Sequence, residues 1–575
     1  MNAPTRPRRR RVRLTTVRSE AVEFAGLAHR EGSLTLGQLN IVRWLMRTPD
    51  HFHATLPVDV PVPRGVHVPD VTAAVAVLVA RHEGLRTSYS GREDPRQTVA
   101  ASGVVPVVVC SLGEGTWGEP DQPAVASALL RWLRDTPDGT RPAARLVVAV
   151  APEQDDLVVA CAAEFSHMAV DRAAIEVLKH EFRELTATPS LREVGPPRRQ
   201  PLDQAEIEAT PLERRRARAA LAHLGSLSRR TPRSLYLLPG ATATGESAAV
   251  EMSSPAAGRA LRRIAARTRA SRSSIVLAAI SAVLAHRTGY RELILPLLSG
   301  NRFDRALTGY VGTLAQGCLA AVDVADHDFD TLVRHTWTAV LEASRHGRYD
   351  AAARAASDDR TAHDRGLVFD YDPLFNSTVP ESWFGPNTPF ARRAPAPATS
   401  GETTIRWRST PRNGTPLRFG LTSVEPDLVL DVWTADTGLV PREEVESLLA
   451  AVQRLLLAAA RADLTPARQR EAIALPPIAR PDTWHFVDNC WVDLTEVQAL
   501  LDDALAPSTS RVLPAEHGIP LVAHLTATPE IRTPEEAHLR CLAALPRYPA
   551  ALAPRHYVLH GSALTDPPLT SGTGR

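Results

Sequence analysis

Short apolar runs and amphipathic stretches alternate along residues 15–185, and that alternation predicts interleaved strands and helices. Residues 71–81 carry an apolar helical face and stop at the turn-like His82-Glu83-Gly84. Residues 145–150 and 157–162 are short apolar runs of strand length, whereas 175–185 return to amphipathic helical spacing. From 186 to 233 the chain turns rich in proline and arginine, with a charged helix expected over 212–224, and reads as a connector. The mixture then repeats: an apolar helix at 274–286, a strand at 293–298, a long helix at 330–346 and a closing helix at 442–461. A proline-bearing linker leads to a final αβ segment. The pattern predicts an α/β fold divided into a disordered basic tail (1–19), a first half (20–190), a connector (191–235), a second half (236–462), a linker (463–479) and a small terminal domain (480–575).

Composition narrows the function classes. A chain of 575 residues has room for roughly two to four folding units. Its 44% hydrophobic and 23% charged residues support a sizeable core, so general disorder is not expected. The net charge of +2 gives no strong field for nucleic acid; Arg6 and Arg8 to Arg11 form a short basic start that reads as a solvated tail. Lys179 is the only lysine, which fits genomic base bias better than a demand of the fold. No apolar stretch is long enough to span a membrane, and the arginine-rich start lacks the apolar core of a secretory signal. Cys110, Cys161, Cys318, Cys490 and Cys541 lack the paired spacing of a zinc site and read as reduced, mostly buried thiols of a cytoplasmic protein with no metal centre.

The segment with most chemical content is Phe165-Ser166-His167-Met168-Ala169-Val170-Asp171-Arg172. It follows a strand and precedes a helix, which puts His167 at a turn from which side chains can project into a cleft. Taken alone, a histidine four residues before an aspartate is more often structural than catalytic.

The segment resembles the H-H-x-x-x-D-G signature of the condensation domains of nonribosomal peptide assembly, with its second histidine at His167 and its aspartate at Asp171. Other segments match that family in order. Leu34-Thr35-Leu36-Gly37-Gln38 resembles the opening motif, and Arg81-His82-Glu83-Gly84-Leu85-Arg86-Thr87 is very similar to R-H-E-x-L-R-T. Residues 296–302, Gly309-Tyr310-Val311-Gly312-Thr313 and Phe375-Asn376 resemble later elements. The likeness covers about residues 20–462 and is nearest to free-standing actinobacterial members.

The resemblance implies two chloramphenicol-acetyltransferase-like halves forming a V, with His167 in a tunnel open to both faces. It implies an acyl or peptidyl transferase joining a thioester, carried on the phosphopantetheine of a partner carrier protein, to an amine or hydroxyl acceptor. No bound cofactor, nucleic acid or membrane is implied. His167 would act as a base or orient the nucleophile. Asp171 would pair with Arg302 and hold the loop in shape.

Two positions depart from the signature. Ser166 replaces the first histidine, at a position that supports the loop. Arg172 replaces the glycine, which would leave room for the pantetheine arm and expose a backbone N–H near the developing oxyanion. An arginine there caps the site, binds an anionic donor, blocks the donor channel or turns to solvent. The rival to catalysis is a non-catalytic module of the same fold that recruits carrier proteins or tailoring enzymes. A coenzyme-A acyltransferase is disfavoured by the R-H-E-x-L-R-T and F-N likenesses.

Residues 480–497 and Pro568-Leu569-Thr570-Ser571-Gly572-Thr573 resemble the hinge and end motifs of adenylation-domain C-terminal subdomains. The hinge glycine falls on Asn489 and the catalytic lysine on Gly574, and no phosphate-binding loop precedes residue 480. The resemblance therefore implies a degenerate adenylation lid without its chemistry, in which Asp493 and Glu496 are helix-start acids.

Overall fold

The computed structural model describes residues 12–25, 27–47, 54–91, 94–113, 122–136, 142–151, 154, 156–188, 199–379, 401–409, 415–516 and 519–575. Arg6 and Arg8 to Arg11 lie outside them. The described residues form two compact units. The first runs to Arg215 and also takes Gly300–Ala315; the second takes the remainder.

In chain order the first unit contains β1 (Leu14–Phe24), β2 (Arg30–Ser33), α1 (Leu36–Arg47), β3 (Thr55–Val60), α2 (Val68–Arg81), β4 (Thr87–Ser90), β5 (Arg96–Val99), β6 (Gly103–Leu112), α3 (Gln122–Asp135), β7 (Ala144–Val150), β8 (Val158–Ser166), α4 (Arg172–Ala187) and α5 (Pro201–Glu208). Its main sheet has the order β1-β6-β7-β8-β3, and β2-β5-β4 form a smaller one. Every residue of β7 is buried, as are all but two of β8, which is why both contain short apolar runs. α2 packs against α4 and buries Val71, Ala74, Val75 and Leu78, the apolar face legible in its spacing.

α6 (Pro211–Ser228) carries the chain into the second unit. There follow β9 (Ala248–Ser254), α7 (Pro255–Thr268), α8 (Arg272–Thr288), β10 (Glu292–Ser299), β11 (Gln316–Asp323), α9 (Phe329–Arg345), α10 (Ala351–Arg365), β12 (Leu374–Ser377), β13 (Thr404–Ser409), β14 (Leu417–Ser423), β15 (Leu428–Thr434), α11 (Arg442–Ala459) and α12 (Pro466–Ile473). Their sheet has the order β11-β10-β12-β14-β15-β9-β13. α8 starts at Ser271, whose hydroxyl accepts from the Ser274 N–H, and stops at Gly289, whose φ of 83° suits glycine. Between those caps it is buried almost all round.

The terminal segment comprises β16 (Trp484–Val487), β17 (Cys490–Asp493), α13 (Leu494–Ala504), β18 (Ser510–Glu516), β19 (Ile519–Thr526), α14 (Pro534–Ala544), β20 (His556–His560) and β21 (Pro568–Gly572). β18-β19-β20-β21 form a sheet of their own. Its core includes Leu367, so the segment closes over the chain just after α10. Arg233 ties the two together by donating to the carbonyls of Leu545, Tyr548 and Ala551. Arg365 does the same through the carboxylate and carbonyl of Asp488.

Four features differ from those expected of the sequence. β1 begins at Leu14, inside the stretch expected to be tail, because its pairing with β6 outweighs its polar composition. The connector holds two helices, α5 and α6. The expected linker holds α12, whose Ile473 enters the core of the second unit with Leu464. Residues 300–315, expected in the second half, belong to the first unit. All five cysteines are buried free thiols. Among the described residues no helix is long and apolar enough to cross a membrane.

Candidate functional site

β8 ends at Ser166, and the chain turns through residues 167–169 before α4. The turn is held from both sides. The His167 N–H donates to the Ala54 carbonyl at 2.8 Å, and the His167 carbonyl accepts from the Thr313 hydroxyl at 2.7 Å. The Ser166 hydroxyl accepts from the Met168 N–H at 3.3 Å, so serine supports this loop from its side chain.

The His167 ring is half-buried, with Trp44 edge-on at 5.9 Å between centroids. Its Nδ1 lies 3.2 Å from the Val170 carbonyl. A carbonyl only accepts, so the proton sits on Nδ1 and Nε2 carries the lone pair. Burial lowers the pKa of His167, against the raising effect of backbone hydrogen bonding and of the Asp171 charge. The neutral form therefore dominates at neutral pH, and that form can take a proton.

Asp171 is the N-cap of α4 and accepts from the Ala174 N–H at 2.9 Å. Both guanidinium Nη atoms of Arg302 donate to it at 2.8 Å, and the Leu314 and Ala315 N–H groups donate at 2.9 and 3.2 Å. The side chains of Arg302 and Asp171 are 1% and 2% exposed, so this is a fully desolvated pair. Burial alone would raise the Asp171 pKa; the Arg302 charge and the donated hydrogen bonds outweigh it and hold the carboxyl below its ordinary value. Arg302 also donates to the carbonyls of Gly300 and Gly312. One buried pair thus fixes the start of α4 and the 300–315 segment, which in turn supplies Thr313 to the His167 carbonyl.

A second set of contacts explains the opening motif. The Thr35 hydroxyl donates to the Thr313 carbonyl, and the Gln38 amide oxygen accepts from the Thr35 N–H. Gln38 Nε2 donates to Gln97, and the Tyr89 hydroxyl donates to the Met168 carbonyl at 3.1 Å. A Cβ at Gly37 would stand 2.4 Å from the Thr313 oxygen, so only glycine permits this approach. Trp44 and Tyr89, which touch the turn, and Gln97, which holds Gln38, were not singled out in the sequence, because they come from separate elements.

The R-H-E segment is scaffolding. His82 is fully buried, with Nε2 2.7 Å from Glu181 on α4, and Glu83 accepts from Arg30 at 3.1 Å. Phe375 and Asn376 lie in β12, with Phe375 in the core of the second unit.

Arg172 opens α4 and is exposed. Its guanidinium still lies among enough atoms for desolvation to lower its pKa, against the raising fields of Glu176 and Asp59.

At the far end of the chain, Asn489 has a φ of 61° and Gly574 a φ of 70°. A Cβ at Gly574 would meet the Pro534 carbonyl oxygen at 2.6 Å, so no lysine fits that backbone unstrained. Glu496 does more than start a helix: it accepts from the Ala550 N–H at 2.8 Å and holds the 545–551 turn.

No protein-family model matches the chain, and no curated protein matches it. Solved structures do. One, described as the molecular basis for condensation domain-mediated chain release from the enacyloxin polyketide synthase, is 19% identical, with a TM-score of 0.57 over 80% of this chain and 85% of that one. The SgcC5 protein from Streptomyces globisporus is 16% identical, with a TM-score of 0.56 over 75% of this chain and 99% of its own. The X-domain from teicoplanin biosynthesis is 18% identical, with a TM-score of 0.53 over 76% of this chain and 97% of its own. At such identities the likeness establishes the fold.

Proposed function

On the premise that the chain has the condensation-domain fold, we propose that it is a condensation-type acyl or peptidyl transferase of secondary-metabolite biosynthesis. It joins an acyl or aminoacyl thioester on the phosphopantetheine of a carrier protein to an amine, or less often a hydroxyl. The observation that carries this reading is the His167 ring, held with its Nδ1 proton on the Val170 carbonyl and its Nε2 free to act as a base.

The acceptor nitrogen attacks the thioester carbonyl, and the new C–N bond forms as His167 Nε2 takes the amine proton. The C–S bond then breaks, and the imidazolium returns the proton to the departing pantetheine thiolate. Thr313, Ser166 and the Asp171–Arg302 pair touch neither reactant; they hold the turn so that the ring stays aimed. The test is amide formation from carrier-loaded thioesters, followed by mass spectrometry. His167→Ala should abolish product while the circular dichroism spectrum stays unchanged; turnover near that of wild type would remove His167 from the mechanism.

Arg172 favours a second reading, a carrier- or enzyme-recruiting module without turnover. It stands where the family signature has glycine, and one neighbour of this fold was solved as a complex of the X-domain and OxyB from teicoplanin biosynthesis. Absence of product with every loaded carrier, together with stable pull-down of a pathway enzyme, would favour that reading.

A further inference from the structure

Two helices of the second unit bring three ligand-type side chains together. His223 lies on α6, Glu342 on the last turn of α9, and His346 at its C-cap. One ligand atom from each lies within 4.8 Å of the other two. The four-residue spacing of Glu342 and His346 stacks them on one helix face, the arrangement by which a helix chelates an ion.

The supports are rigid. α6 buries Ala220, Leu224 and Leu227 in a cluster with Ile294, Leu319 and Tyr349, leaving His223 half-buried at its rim. Ala343, 1% exposed, anchors the end of α9 in the same way. The His346 ring is also oriented: its Nδ1 lies 3.1 Å from the Glu342 backbone carbonyl, so the proton sits there and Nε2 has the lone pair. The carbonyl end of α9 adds a partial negative charge that favours a cation.

The geometry points to a binding site for a zinc-class divalent ion, held by His223, Glu342 and His346 and completed by water, that ties α6 to the end of α9. Two imidazoles and one carboxylate suit such borderline ions, whereas magnesium and calcium prefer oxygen-only shells. The two rings stack at 4.1 Å between centroids and 16° between planes, so their lone pairs do not yet converge. Binding turns one ring about its Cβ–Cγ bond and draws the ligand atoms from within 4.8 Å toward the about 3.3 Å that tetrahedral zinc bonds require. Two contacts compete for the Glu342 carboxylate, from Arg345 and from His346 Nδ1, each at 3.4 Å; both are long and partly solvated, and the ion displaces them.

The experiment uses the untagged full-length chain, stripped of metal with chelator and titrated calorimetrically with zinc chloride near neutral pH. Magnesium chloride forms the second arm. One equivalent of zinc should bind and raise the melting temperature, while magnesium does neither. His223→Ala and Glu342→Gln should each weaken binding about tenfold or more and remove the thermal shift, with metal-free melts like wild type. Absence of saturable one-to-one zinc binding, or a His223→Ala chain that takes up zinc as wild type does, would overturn the site.

Discussion

Replacing Asp171 by alanine should damage the fold of the first unit more than any change at His167. The substitution leaves the Arg302 guanidinium, 1% exposed, without its carboxylate. Breaking a buried pair from one side costs about 3–5 kcal/mol. Losing the N-cap contact to the Ala174 N–H adds about 1 kcal/mol. The Gly300 and Gly312 carbonyls still accept from Arg302, which places the expected loss nearer the lower end of that range. Equilibrium urea denaturation measures the total, and hydrogen exchange localises it, because the Leu314 and Ala315 amides lose their acceptor. The double change Asp171→Ala with Arg302→Met should cost less than the sum of the single changes, since it leaves no unpaired charge. The pH dependence carries the same signature. A carboxyl whose folded pKa is depressed contributes stability that is present above its unfolded value, near 3.8, and lost as pH falls through the folded value. Wild type should therefore weaken below about pH 4 more steeply than the double variant. An Asp171→Ala chain with a wild-type midpoint and a still protected 314–315 segment would refute the reasoning.

Three further outcomes are expected from the same geometry. Because burial lowers the His167 pKa, its base form persists below the ordinary histidine value, so the acid limb of the rate profile should lie below about pH 6.5; a limb centred above pH 7 would point to another base. Arg172→Gly should leave stability nearly unchanged, and should widen the donor range only if the arginine screens donors; identical competition by neutral and anionic acyl-pantetheines in wild type and variant would end any donor-selecting role for it. The chain should show no amino-acid-dependent pyrophosphate exchange, and Gly574→Lys should lower the melting temperature without creating exchange, since the φ of 70° and the contact with Pro534 both oppose a side chain; robust exchange by either protein would overturn the expectation of a tail without adenylating activity.

Periodicity was enough to find β7, β8, α2 and α8, because each buries a face or a whole surface that local spacing reveals. It did not reveal β1, whose polar residues are ordered by a partner far along the chain. Nor could it place residues 300–315 in the first unit. That assignment rests on Arg302, Leu314 and Ala315 converging on Asp171, a tertiary fact. Within the site, His167, Asp171, Ser166, Arg302 and Thr313 lie in segments legible through motifs, but Trp44, Tyr89 and Gln97 do not. They stand on α1, β4 and β5, and their contacts with His167, Met168 and Gln38 are tertiary ones that no spacing rule encodes.

The clasp made by Arg233 and Arg365 also decides where this chain can be divided. A cut between 463 and 479 looks natural in the sequence, yet a chain ending there would strip Arg233 of the Leu545, Tyr548 and Ala551 carbonyls. It would leave Arg365 without Asp488 and uncover Leu367. An engineer wishing to transplant the second unit into another protein would have to carry residues 480–575 with it, and recombination joints belong outside that segment.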